Sequence, residues 1–186
     1  MGMLDELNDI GKARANNKSD FIRDGKGVLL LEECIYDKMN DGRTWVSRFE
    51  VVEAVSKGDL DKDGKPVVPN AVGSHVGWVQ QPEKFKSAAG NIKSFVLALL
   101  GYSEAEVDAN PGSFGQAADQ LRGPTQPGRG MLIGFETYRQ ATRSGARAGQ
   151  VNTYVRFFHI GPEAGNSKEK IAERRAVLDA KTPLKK

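Results

Sequence analysis

The chain has 186 residues, 39% of them hydrophobic and 27% charged, which suits one domain with a sizeable core and appendages. No apolar run approaches the roughly 18 residues of a membrane span, and the polar start MGMLDELNDIGKARANN excludes a secretory signal, so a cytoplasmic location is expected, the host cytoplasm if the protein is viral. The net charge of +3 hides an asymmetry, because residues 1–120 carry 14 Lys and Arg against 19 Asp and Glu, whereas residues 121–186 carry 13 against 5; the excess points to a phosphate or polyanion partner, or to a solvated basic face.

Along the chain, Met3, Leu4, Leu7 and Ile10 are spaced for a short amphipathic helix within an N-terminal segment, residues 1–20. GVLLLEECIYDKM and TWVSRFEVVEAV are β-prone runs flanking NDGR, and an Asp-Gly between two such runs is a strong hairpin signal. Cys34, the one cysteine, lies in the first run and reads as a buried, reduced thiol. GSHVGWVQQ reads as a third strand. PEKFKSAAGNIKSFVLALLGY is the clearest helix, with Pro82 in its first turn, an apolar stripe from Phe85 to Leu100, and Gly101 as its cap. SEAEVDANPGSFGQAADQLRG is expected to add a short helix and a loop. RGMLIGFETYRQ and QVNTYVRFFHI are strand-like and joined by a Gly/Ala/Arg loop; residues 161–186 read as a charged helix with a loose basic tail.

The predicted order of three strands, one helix and two strands over residues 24–160 matches a five-stranded Greek-key barrel of the OB type, an α+β fold that is mainly β, with its helix between the third and fourth strands. Helix-bearing α/β sandwiches give a similar string.

One stretch looks like a functional motif and fails as one. In GDLDKDGKPVVPN, Asp59, Asp61 and Asp63 alternate before Gly64 as in a calcium loop, but the twelfth position is Asn70 and lacks the bidentate Glu. Pro66 and Pro69 also interrupt the place where the exiting helix would begin. An acidic turn between two strands is the better reading, and its carboxylates would repel a phosphate backbone. His75 and His159 have no His or Cys neighbour at zinc spacing, and neither a phosphate loop nor a nucleophile elbow is present. No catalytic residue, metal or cofactor is expected.

The remaining signal is basic residues interleaved with aromatics. Tyr154, Arg156 and Phe158 share one strand face, and Leu132, Gly134, Glu136 and Tyr138 share another. Bases stack on flat aromatic side chains while nearby cations track phosphates. The candidate contacts are therefore Tyr138, Tyr154, Arg156 and Phe158, with Arg129, Arg139, Arg143 and Arg147 around them. Trp78 is a further stacking candidate, and Arg43 and Arg48 on the hairpin are phosphate candidates. Phe135 and Phe157 suit the core instead.

The segments GVLLLEECIYDKMNDGRTWVSRFEVVEA, KFKSAAGNIKSFVLALLGY, QLRG and NTYVRFFHI are similar in order and character to bacteriophage single-stranded DNA-binding proteins with an OB fold. The resemblance covers roughly residues 24–160 and is one of layout. It implies a replication or recombination accessory that coats single-stranded DNA, tolerates sequence and has no enzymatic activity. It leaves open RNA as a ligand, a homodimer, and contacts with replication or recombination proteins. Cellular single-strand binders end in an acidic tail with a terminal aromatic, whereas this chain ends in TPLKK, which puts that mode of recruitment in doubt. The alternative is a non-catalytic protein-interaction or virion-associated module on the same scaffold.

Overall fold

A computed structural model describes residues 20–39, 42–61, 63–141, 149 and 151–184. The expected helix over residues 3–15, Arg143, Arg147 and the final two lysines lie outside the described residues. The fold is α+β. In chain order the elements are β1 (Asp20–Phe21), β2 (Lys26–Met39), β3 (Gly42–Val55), β4 (His75–Gln80), α1 (Lys86–Leu100), α2 (Glu104–Ala109), α3 (Pro111–Arg122), β5 (Leu132–Ala141), β6 (Val151–His159) and α4 (Lys168–Lys181).

Five strands form an antiparallel sheet in the order β4-β3-β2-β5-β6, and β1 adds a short parallel pairing on the outer edge of β4. The hairpin pairs Met39 with Gly42, as the Asp-Gly signal predicts, although residues 40 and 41 are outside the described set. Two register shifts, between Val28 and Leu29 and between Leu31 and Glu33, break the alternation of β2. Such bulges bend a strand and turn its side chains relative to the pleat. That lets β2 bury Leu29, Leu30 and Leu31 in succession and serve two partners, β5 at its start and β3 along its length.

The sheet does not close into a barrel. Among the described residues β6 pairs only with β5, and β4 only with β3 and β1. The rings of Trp78 on β4 and Phe157 on β6 nevertheless meet at 5.1 Å, and α1 packs against both strands. Phe95 of α1 is the hub of the core: its ring lies 5.2 Å from Trp78, 5.1 Å from Phe157, 6.0 Å from Phe49 and 6.3 Å from Trp45, mostly edge to face, the arrangement that aromatic quadrupoles favour. Ala88, Ile92, Phe95, Val96 and Leu99 make the buried stripe of α1, at the spacing of a helix laid on a sheet.

The stretch after α1 departs from the expected short helix and loop, because α2 and α3 are both helical. A capping box at Ser103 and Glu106 starts α2. Glycine-rich α3 is held by Phe114, Ala118 and Leu121, which pack on the core one or two turns apart; tertiary burial here outweighs poor intrinsic propensity. The chain then returns through residues 123–131, where Gln126 stands in for a strand. Its side chain accepts from the Cys34 N–H at 2.8 Å and donates to the Cys34 carbonyl at 3.1 Å.

The C-terminal helix is strapped to this return. Arg129 is only 2% exposed; its guanidinium meets Asp179 at 2.8 Å and donates to the carbonyls of Glu32 and Thr182. Arg174 donates to the carbonyls of Gly130 (2.7 Å) and Gly165 (3.0 Å), and Arg175 to those of Thr125 and Gln126. Gly130, at φ 89°, has the Ile171 carbonyl 2.8 Å from where a Cβ would stand, so only glycine permits the helix to come this close. No described helix is long and apolar enough to cross a membrane.

Candidate nucleic-acid interface

Antiparallel pairing sets residues that face each other on the same side of the sheet. On β5 and β6 the register pairs Gly134 with Phe158, Glu136 with Arg156, and Tyr138 with Tyr154. The neighbouring residues Ile133, Phe135 and Thr137 are buried on the opposite side. Four of the predicted contact residues, Tyr138, Tyr154, Arg156 and Phe158, therefore share one outward face.

They also touch. The Tyr138 and Tyr154 rings are stacked at 5.6 Å with 22° between planes, and the Arg156 guanidinium lies 5.6 Å over the Tyr138 ring. Tyr138 and Phe158 are 41% and 42% exposed, so flat aromatic surface faces solvent beside a cation. Next to Arg156, Glu136 is bonded to Lys57 at 2.9 Å. That bond, reinforced by the Lys57 charge, holds the Glu136 carboxyl below its usual range, so it is an anion at neutral pH. Lys26, opposite Glu136 on β2, adds an exposed cation.

The other predicted contacts are placed elsewhere. Arg48 points outward on β3 and pairs with Glu33 at 2.8 Å. Register puts Glu33 opposite Arg48 and Lys26 opposite Glu136, so the two sites are roughly 23 Å apart along β2 at about 3.3 Å per residue. Arg43 is exposed at the start of β3, beyond Arg48. Trp78 is 7% exposed inside the aromatic core. Arg129 is committed to the C-terminal strap. Arg139 shares the face opposite Tyr138; its Nε donates to Asp24 at 2.7 Å, and it also bonds the Leu60 carbonyl. Asp24 accepts from Thr153 at 2.8 Å as well. Arg139 thus ties the acidic loop to the side of β5 away from Tyr138. Within that loop Asp61 turns back on itself, accepting from the N–H groups of Asp63 (2.8 Å) and Lys65 (2.9 Å).

Among the described residues, most arginines of the C-terminal third are engaged within the protein: Arg122, Arg129, Arg139, Arg174 and Arg175 all bond there, and Arg156 faces outward beside the aromatic pair. Lys26, Lys57 and Glu53 belong to this face and were not anticipated, because strand register brings Lys26 and Glu53 there and the bond to Glu136 brings Lys57. No group of three or more His, Cys, Asp and Glu suited to a metal occurs among the described residues. Compared with protein-family models, with curated proteins and with solved structures, the chain has no match in any of the three.

Proposed function

We propose that the protein binds single-stranded DNA with little sequence preference, without catalysis, on the outward face of β5 and β6. The observation that carries this reading is the Tyr138–Tyr154 stack with Arg156 over it and exposed Phe158 two residues further along β6. Stacking on such rings accepts any base, since every base has a π face, and adjacent cations contribute counterion release along the backbone. Duplex DNA, whose bases are already stacked, gains little from the same surface. The antiparallel order β4-β3-β2-β5-β6, with α1 between β4 and β5 in sequence, supports an OB-type arrangement left open between β4 and β6. This layout fits a phage replication or recombination accessory, and the same stacking surface accepts RNA.

The test is tyrosine and tryptophan fluorescence during titration with single- and double-stranded oligonucleotides at two salt concentrations. Single strands are expected to bind with an affinity that falls steeply with salt. Tyr154→Ala should cost about 1–3 kcal/mol, and Arg156→Ala should reduce the salt slope by about one unit. Absent binding, or binding indifferent to salt and to both substitutions, would sink the reading.

A further inference from the structure

At the hairpin end of the sheet, an apolar groove of about 310 Å³ runs between β2, β3, the start of α1 and α3. Tyr36 and Trp45, paired across the hairpin with their rings 6.0 Å apart, meet Ile92 of α1 at its base, and Phe114 of α3 forms a wall. Glycine keeps it open: a Cβ on Gly115, which lines the same wall, would meet nothing within 4 Å. Apart from the Tyr36 hydroxyl, the polar groups of the lining are Asp119 and Arg122, which bond each other, with the guanidinium 6.0 Å over the Tyr36 ring. The volume is at the low end of the roughly 300–1,000 Å³ of ligand pockets, and such a lining suits a few apolar side chains.

The rim is cationic. Two residues beyond Tyr36 and Trp45, register pairs Lys38 with Arg43, and alternation puts this pair on the same face, nearer the turn. Lys86 stands one helical turn before Ala89 of the lining. All three are exposed, and no salt bridge among the described residues engages them. The carboxylate of Glu83, which accepts from the Arg43 N–H at 3.1 Å, offsets only one of these charges.

The chain itself contains a segment of matching chemistry. Met3, Leu7 and Ile10 recur at the i, i+4, i+7 spacing of a helix that lies in a groove, with Leu4 beside them. Asp5, Glu6 and Asp9 lie among them, and the first basic side chain is Lys12. Reach is sufficient. Asp20 pairs with Val76 at the edge of β4, and Pro82 of the groove is six residues further along, about 20 Å at strand spacing. Residues 11–19 extend to about 30 Å.

We propose that this groove is the docking site of the chain's own residues 3–10, with Met3, Leu7 and Ile10 turned to Tyr36, Trp45 and Phe114 and the carboxylates towards Lys38, Arg43 and Lys86. The docking does not rest on the single-strand reading, because the groove is separate from the Tyr138–Tyr154 face.

The experiment is paramagnetic line broadening in the full chain. Asn8→Cys carries a nitroxide; buried Cys34 stays unlabelled. The amide signals of Ala89, Gly115 and Ala118 are expected to broaden, and those of Tyr138 and Tyr154 to stay sharp. Gly115→Leu fills the groove with a better helix former and should abolish the effect, with near-ultraviolet circular dichroism checking the fold. Leu7→Asp, which leaves the groove itself unaltered, should abolish it as well. In a mixture of nitroxide-bearing chains and isotope-labelled chains without nitroxide, the observed signals should stay sharp; broadening there would assign the groove to a second copy and overturn docking within one chain. Sharp signals in the nitroxide-bearing protein, or broadening that survives Leu7→Asp, also overturn the proposal and leave the single-strand reading untouched.

Discussion

At the scale of single residues, the same chemical type has opposite fates depending on partners far away in sequence. Arg156 and Arg129 are indistinguishable by composition, yet one lies over an exposed tyrosine and the other is sealed among Asp179 and two carbonyls. Cys34 is a sharper case. It is 1% exposed, 3.6 Å from the Ser47 hydroxyl, and burial pushes its thiol up from the usual 9.0 to about 12. The thiolate is the reactive form, so a disulfide reagent at pH 8 should leave the native protein unmodified and label it stoichiometrically in denaturant. Rapid native labelling would contradict that burial. The folded value lies above the unfolded one, so the stability held by the neutral thiol is complete below pH 9 and is lost as pH rises from about 9 to about 12. Denaturant midpoints across that window should fall less for Cys34→Ala than for the wild type.

At the scale of elements, α1 joins the two open edges of the sheet, and its end is sharply specified. Gly101 has φ 74°, and a Cβ there would stand 2.7 Å from the His159 ring, whose Nδ1 lies 3.1 Å from the Ala98 carbonyl. Gly101→Ala therefore meets both left-handed strain and a clash with β6; a loss of about 1–3 kcal/mol is expected, readable as a lower thermal midpoint. An unchanged midpoint would mean that β6 does not rest on this helix. The hairpin, α1 and the alternation of β5 and β6 were legible in the sequence because each follows from local periodicity and turn chemistry. α3 was not, since Pro111, Gly112 and Gly115 read as loop and only contact of Phe114 and Leu121 with the core makes it helical. The shared face of Tyr154, Arg156 and Phe158 followed from strand alternation, whereas the pairing of Tyr138 with Tyr154 is set by register. The burial of Trp78 and Arg129, and the bonding of Arg139 to Asp24 and the Leu60 carbonyl, did not, because their partners are fixed by topology.

At the scale of the whole molecule, the acidic and basic parts of the chain are interleaved. Arg139 holds the acidic loop against β5, and the cations of α4 bond the return that leads into β5. Among the described residues much of the C-terminal arginine is thus engaged within the fold, and the exposed cations of the candidate face, Lys26 and Arg156, come from strands far apart in sequence. The strap gives a global prediction. Asp179→Ala leaves Arg129 buried with carbonyl partners alone. Because the Asp179 carboxylate is half exposed and screened, the loss should be about 1–3 kcal/mol, less than for a fully buried pair, seen as a lower urea midpoint with an unchanged slope. A midpoint within error of wild type would show the carboxylate to be dispensable.

The position of that strap also orders events during synthesis. Arg129 is made with the return that leads into β5, but its carboxylate and its last carbonyl come 50 and 53 residues later. At about 5–20 residues per second on the ribosome, the growing chain spends roughly 3–10 s with the cation made and those two partners missing. During that interval seating Arg129 would bury a charge without its counterion, so the return stays unsettled while the earlier hairpin can already pair. The domain is finished from its far end backwards, and its stability arrives late in translation.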